Sequence, residues 1–397
     1  MHDDSKVDKE IFKSNEPSVI MAPNLFGTSA SLFLEASQQN LIQEKSTTEK
    51  TSTPKLETQK SLRSKSKYKW KIVWRNVIAF LYLHISALYG FYMCFTGAKL
   101  ITVIYTFFIG FAAGFGVTAG AHRLWAHKSY KAKWPMRVIL MICQTVAFQN
   151  HIYEWVRDHR VHHKFTDTDA DPHNSQRGFF FSHIGWLMLK KHPDVIKKGA
   201  TIDMSDIEKD PVVVWQRRLY IILMPLFCFI IPTWIPWHFW GEKLMYAWYL
   251  TLFRYTLSLN LTWLVNSAAH IWGMKPYDSS ISPTDSYSVG IAAFGEGWHN
   301  YHHVFPWDYK AAELGNYKMN FTTAIIDGFA KLGWAYDLKT VPIEMIQKRA
   351  TRTGDGSKYE ITEGQHEHTH SNTVWGWDDR DMISEDIQCA RILQKSD

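Results

Sequence analysis

The chain has 397 residues, room for one large domain or two small ones, and is 46% hydrophobic with a mean hydropathy of −0.23. Its apolar residues must therefore lie in blocks between very polar segments, and 15% aromatics with 18 Trp suit a protein anchored at two membrane interfaces. A net charge of +6 describes an ordinary basic surface and gives no reason to expect nucleic acid as a partner; Cys94, Cys143, Cys228 and Cys389 form no CxxC pair, which argues against a disulfide scaffold or thiolate zinc site.

Residues 1–66 are rich in Ser, Thr, Lys, Glu and Gln and are expected to be a disordered tail. The first 20 residues carry no apolar signal segment, and Met21 is an alternative start. A basic run follows, with Lys60, Arg63, Lys65, Lys67, Lys69 and Lys71 just before the first apolar block. Such a flank marks the cytoplasmic side of a membrane. Four stretches then approach the roughly 20 apolar residues that a bilayer requires: 72–95, 100–120, 218–240 and 246–269. Each pair is joined by a few residues, so they predict two helical hairpins. Every hairpin returns the chain to its starting face, which places the N-terminus, residues 121–217 and the C-terminal third together on the cytosolic side. The apolar segment 136–150 is too short to span and is expected to be interfacial or buried. The fold expected is an all-α integral membrane protein with four transmembrane helices and a helical cytosolic cap. Residues 67–345 form its body and 346–397 a flexible C-terminal tail.

Nine histidines gather on that predicted cytosolic side. They are His122 and His127 after the second stretch, His159, His162 and His163 in the middle segment, His270 after the fourth stretch, and His299, His302 and His303 beyond it. Each H-x-x-H-H triplet occupies i, i+3 and i+4, positions that share a helix face. A triplet could serve one ion or be split between two. Asn266 and His270 also share a face, whereas His122 and His127, at i, i+5, lie about 140° apart on a straight α-helix. These two are expected to converge at a frayed helix end. Two ions with four or five protein ligands each would use nearly all of the nine imidazoles and one amide. Neutral imidazole suits Zn, Cu, Fe and Ni. A zinc hydrolase needs three ligands and an open position, far fewer than this chain offers. Iron held by neutral ligands keeps a high positive charge, which suits reduction of O2 to an oxidant for unactivated C–H bonds. Iron is therefore the metal expected at the cap.

The segments Gly120–His127, Glu154–Phe165, Asp169–Asn174, Asn266–His270 and Gly295–His303 resemble the histidine boxes and flanks of membrane fatty acyl-CoA desaturases, the stearoyl-CoA desaturase family, and most of all its insect members. The resemblance covers residues 70–340. It implies a di-iron centre, with one iron on His122, His127, His159, His163 and His302. The other would lie on His162, His270, His299 and His303, with Asn266 reaching it through water. It also implies an acyl-CoA substrate, O2, two electrons from NADH through cytochrome b5 and its reductase, and a cis double bond as product. The corresponding compartment is the endoplasmic reticulum membrane. Delta-9 desaturation of 16- or 18-carbon saturated chains is the default implied. Arg157 and Asp158 match family positions that contact CoA, and Lys190 and Lys191 a basic pair that meets its phosphates; Lys190 stands where Arg is frequent, which leaves a point charge in place of a fork. Asn76, Asn150 and Trp263 match further substrate contacts. No His-Pro-Gly-Gly haem segment is present, so the electron donor is expected to be a separate protein.

Other patterns carry less. Asp167, Asp169 and Asp171 alternate like a calcium loop, but Pro172 stands where Gly is required and Gly178 where Glu is. His366, His368 and His370 fall in the polar tail and suggest adventitious metal capture. His84 and His238 read as structural, and His173 as support for the metal shell. Small residues in the second stretch, Gly110, Ala112, Ala113 and Gly114, pack helices closely or floor an acyl tunnel. The rival readings are delta-11 or other regiospecificity, a di-iron hydroxylase or acetylenase, a metal transporter and a haem electron carrier. A transporter would place its ligands near the bilayer midplane, and a haem carrier would pair them within spans.

Overall fold

The computed structural model describes residues 68–313, 320–360 and 373–395. The expected disordered tail 1–66, the basic residues before Tyr68 and the His366–His370 cluster lie outside them. The described chain is mostly helical, and three helices are long and apolar enough to cross a membrane: Trp74–Thr96, Leu100–Ala126 and Pro211–Trp240.

Helix α1, Trp74–Thr96, has no Pro and stops at Gly97. It shows Ile78, Leu81, Ile85, Leu88 and Phe95 outward, as a lipid-facing surface does, because apolar side chains there meet no water. Helix α2, Leu100–Phe115, runs without interruption into a π-helical segment, Gly116–Ala126. The apolar helix α3, Trp134–Ala147, buries Met136 and Leu140 completely. It is a short packed helix, as expected of 136–150. Helix α4 is Ile152–Lys164, and α5, Pro211–Pro225, passes through a second π segment, Leu226–Ile230, into α6, Ile231–Trp240.

Helix α7, Leu244–Asn266, corresponds to the fourth expected span. It is as long as α1 yet is not apolar enough to count with the other three. Arg254, Thr251, Thr256 and Ser258 on it are buried against protein. Arg254 donates to the carbonyls of Val146 at 3.2 Å and Cys228 at 2.8 Å. Its polar residues face the bundle, which lowers its mean hydropathy. Helices α1 and α7 approach backbone to backbone at Gly90, where a Cβ would stand 2.2 Å from the Tyr249 carbonyl oxygen.

The two helical connections are stitched together by one carboxylate. Glu242, buried, accepts from the Lys99 N–H at 2.8 Å and the Thr102 hydroxyl at 2.6 Å, and Lys99 Nζ donates to the Trp240 carbonyl at 2.6 Å. At the other end the cap packs on a core that includes Trp125, Met136, Leu140, Ile152 and Val156.

The C-terminal region departs from expectation. Residues 343–353 form a helix whose Ile346 and Ala350 are buried. Just before it, strand β1, Leu338–Thr340, pairs antiparallel with β2, Arg391–Leu393. Residues 343–360 and 373–395 are thus docked on the cap and are not a flexible tail. They are held by polar contacts and a few large side chains such as Trp375 and Met382, which gives the low apolar content that reads as disorder.

Candidate metal centre

The first two histidines are brought together by the π segment. His127 N–H donates to the His122 carbonyl at 3.1 Å, an i to i+5 bond. The wider turn places residue i+5 over residue i, where an α-helix would swing it away. The ring centroids of His122 and His127 stand 4.7 Å apart. The expected frayed end is therefore an ordered π turn.

Helix α4 carries the middle triplet and opens at His151, whose ring nitrogen accepts from the Glu154 N–H at 3.1 Å. Helix α8, His299–Val304, carries the last triplet. Its start is pinned by a residue that sequence reading missed. Asp285 accepts from the Asn300 and Tyr301 N–H groups at 3.0 and 3.2 Å. Burial pushes the Asp285 carboxyl up to about 7, against the pull of those two amides.

Each triplet is split. His159 and His163 join His122, His127 and His302 in one group, while His162 joins His270, His299 and His303 in a second. Within each group the donor nitrogens lie within 4.8 Å of one another. Nε2 to Nε2 separations are 2.9 Å for His122–His302, 2.8 Å for His127–His159 and 3.1 Å for His163–His302. In the second group they are 3.0 Å for His270–His299 and 3.1 Å for His299–His303. Imidazoles about 2.1 Å from one ion and at right angles would stand about 3.0 Å apart, against about 3.4 Å on a tetrahedral ion. The spacing fits an ion with more than four positions.

The outer ring nitrogens explain why the inner ones are free to bind. His122 Nδ1 lies 3.0 Å from Glu296, which also takes the Arg123 guanidinium at 2.7 Å. His162 Nδ1 lies 2.9 Å from Asp171, His270 Nδ1 3.1 Å from the Ser282 hydroxyl, and His127 Nδ1 donates to the Trp375 carbonyl. An acceptor at Nδ1 holds the proton there and turns the Nε2 lone pair inward. Among the described residues His162 Nε2 is buried with no hydrogen-bond partner, a costly state unless a cation meets it. Burial, then mutual repulsion among imidazoles, holds His127, His159, His163, His270, His299, His302 and His303 well below the ordinary histidine value. All seven are neutral at pH 7, the form that binds metal. Burial alone would raise the Glu296 carboxyl, but Arg123 and His122 hold it below its usual value.

A cavity of 630 Å³ leads to the histidines. It is lined by α2 and α7, with Trp155 and Phe294, and reaches His122 and His159 of one group and His162 and His299 of the other. Asn266, the last residue of α7, lines it too, as do Gly110 and Gly114. Ala112 and Ala113 are not among its lining residues, and Ala113 is wholly buried in helix packing. A Cβ on Gly110 would meet Arg254 Cγ at 3.4 Å.

The expected substrate residues fall outside this cavity. Arg157, Asp158 and Lys191 form one ionic cluster with Glu154: Lys191 Nζ lies 2.5 Å from Asp158 and 3.6 Å from Glu154, and Arg157 lies 3.2 Å from Asp158. Burial works against ionisation of Asp158, yet Lys191 and Arg157 hold it below the usual carboxylate range. Lys190 sits nearby, its N–H on the Lys71 carbonyl, and Asn76 donates to the Leu187 carbonyl at 2.7 Å. Trp263 packs edge-on to Phe80 and His183. The Asn150 carbonyl accepts from Gln144 at 2.8 Å. Of the side histidines, the His173 ring lies tilted, 4.3 Å from that of His162. His84 is satisfied by the Phe80 carbonyl and Asn260.

A family model described as fatty acid desaturase matches residues 98–314. The chain is 63% identical over 329 residues to the acyl-CoA Delta-9 desaturase of Acheta domesticus, covering 83% of this chain and 88% of that one. It is 57% identical over 319 residues to the acyl-CoA Delta12-desaturase of the same organism, covering 80% and 85%. To the acyl-CoA Delta(11) desaturase of Spodoptera littoralis it is 57% identical over 291 residues, covering 73% and 86%. Histidine boxes, apolar helices and these relatives agree, and the chain belongs to the fatty acid desaturase family.

Proposed function

We propose that this protein is an acyl-CoA desaturase that introduces a cis double bond, at the delta-9 position, into saturated 16- to 18-carbon acyl chains. O2 is the oxidant, and cytochrome b5 with its NADH-dependent reductase supplies the electrons. The observation that carries the reading is an apolar cavity ending between two compact groups of imidazoles. Two irons bound there would supply the O2-dependent chemistry that removes hydrogen from an unactivated methylene. His122, His127, His159, His163 and His302 would hold one, and His162, His270, His299 and His303 the other, with Asn266 assisting the second.

The chain's own residues do the rest. The cavity walls keep water from the acyl chain and hold it extended towards the histidines, so that only a short stretch of methylenes lies near them. Arg157, Lys190 and Lys191 attract the CoA phosphates at the mouth; Asp158 holds Arg157 and Lys191 in place, and Asn76, Asn150 and Trp263 line the approach. Glu296 and Asp171 keep the ring protons on Nδ1. In this reading α7 is a fourth span, and both termini and the histidines face the cytosol at the endoplasmic reticulum. Greater identity to a Delta-9 enzyme than to Delta12 or Delta(11) enzymes supports the regiochemistry; delta-11 or delta-12 insertion is the second reading, because relatives so named are still 57% identical. Expression in a desaturase-deficient yeast, followed by location of the new double bonds by mass spectrometry, tests both. Restored growth with delta-9 products is expected; products unsaturated only elsewhere overturn the position, and hydroxylated products alone overturn the reaction.

A further inference from the structure

Residues 373–382 lie across the five-histidine group and touch one of its members twice. The Trp375 carbonyl accepts from His127 Nδ1–H, and the Trp377 N–H donates to the His127 carbonyl at 2.9 Å. A carbonyl can only accept, so this contact fixes the proton on Nδ1 and turns the Nε2 lone pair towards His159, 2.8 Å away. Between the two tryptophans Gly376 has φ +152°, and a Cβ there would fall 2.5 Å from the His127 carbonyl oxygen. The close approach therefore depends on glycine.

The segment is anchored to the helix that bears the middle histidines. Thr373 donates to the Lys164 carbonyl at 2.9 Å, and Lys164 Nζ pairs with Asp379 at 2.9 Å and with Asp381. Asp379 also accepts from the Trp375 N–H at 2.8 Å. Trp375 is 5% exposed, and its ring lies under the Arg160 guanidinium at 4.0 Å. Arg160 in turn donates to the carbonyls of Ala126 at 3.0 Å and Trp125 at 2.8 Å, next to His127. Among the described residues, no hydrogen bond from this segment reaches the four histidines of the other group.

We propose that residues 373–382 form a strap that retains the metal ion of the five-histidine group, with Trp375 a positioning residue that acts through its main-chain carbonyl on His127. The proposal rests on the reading that this group holds a metal. Outer partners of metal-bound histidine typically control about 10- to 100-fold of the affinity, and here the partner is supplied from more than 240 residues further along the chain (|i−j| of 248).

The test is release of iron to a ferrous chelator from the purified full-length protein in detergent, with total iron measured first. Gly376→Val wedges the strap off His127. Asp379→Asn loosens its anchor and carries the test should the valine variant not fold. Lys348→Ala, which removes only an exposed pair with Glu385, is the control. Half of the iron is expected to leave about 10- to 100-fold faster from Gly376→Val and by a smaller factor from Asp379→Asn. The other half should keep the parent rate, as should both halves in the control. Release of both halves at the parent rate, or equal acceleration of both, overturns the strap's role while leaving the two-iron reading intact. A parent protein that binds no iron overturns that reading, and the strap's role with it.

Discussion

The two histidine groups are built from the same triplets yet are held differently. The five-histidine group leans on Glu296, whose charge is balanced by Arg123, and on a main-chain carbonyl from the C-terminal strap. The four-histidine group leans on Asp171 and on the Ser282 hydroxyl. Asp171 is fixed locally, by the N–H groups of Asp167 and His173. One group is thus tied into the long-range architecture of the cap, and the other into a loop beside its own helix. Perturbing the outer contacts of the first should disturb fold and metal together, whereas the second should lose metal with little change in the fold.

The largest expected effect comes from the ligands themselves. His302→Ala and His303→Ala, neighbours serving different groups, should each lower desaturation by about 10³-fold or more, as removal of a group essential to the chemistry does. Metal analysis should show each retaining only the opposite group's ion. Loss of the same ion from both variants would break the assignment. Next come the outer carboxylates. Glu296→Gln leaves Arg123 buried without its counter-charge, which costs about 3–5 kcal/mol, so its thermal midpoint should fall along with its iron content. Asp171→Asn should weaken metal binding about 10-fold, at the lower end for such partners, with the midpoint of the iron-free protein little changed. Equal midpoints for the two variants would count against the contrast.

A smaller effect concerns selectivity. Gly110→Leu would project a side chain into the cavity against Arg254, and the product profile of mixed acyl-CoA substrates should move to shorter chains with turnover of the best substrate within about threefold. An unshifted profile removes Gly110 from the cavity floor. The smallest effect is the pH dependence contributed by Asp285. Its folded carboxyl is raised from 3.8 to about 7 by burial. A raised acid contributes stability that is present below about pH 4 and is lost as pH rises through about 7. Asp285→Asn, which keeps an acceptor for the Asn300 and Tyr301 amides, should be more stable than the parent at pH 8 and should lose that part of the slope between pH 4 and 7. A parent-like slope in thermal melts would show that Asp285 is already ionised in the folded protein.

Much of the site was legible because its chemistry is carried by residue type. Nine histidines at fixed spacings near the ends of apolar stretches can be read directly as candidate metal ligands, and the fold gathers their rings into two groups. Three features were not legible, for different reasons. The π turn at His122–His127 is a backbone event, and apolar periodicity carries no mark of it. Asp285 and Glu296 are single acids among many, distinguished only by what they meet after folding. The strap was read as a loose tail because Asp378, Asp379, Arg380 and Asp381 dominate its composition; their partners Lys128 and Lys164 lie more than 200 residues earlier. Helix α7 shows the same lesson inside the bundle. Arg254 lowers its apolar content, yet two of its N–H groups reach the carbonyls of Val146 and Cys228.

One consequence of the π segment reaches beyond the two histidines it unites. The same continuous rod carries cavity residues Gly110, Gly114 and Val117 at one end and His122 at the other. An additional residue in the winding rotates everything on one side relative to the other by about 100°, the angular step of one helical residue. The segment therefore acts as a phase adjuster: it sets which side of the rod looks into the cavity independently of which side looks at the cap. Deleting a single residue between Gly114 and His122 would turn the glycine-lined face relative to His122 by about that angle, while leaving His122 and His127 at their present interval.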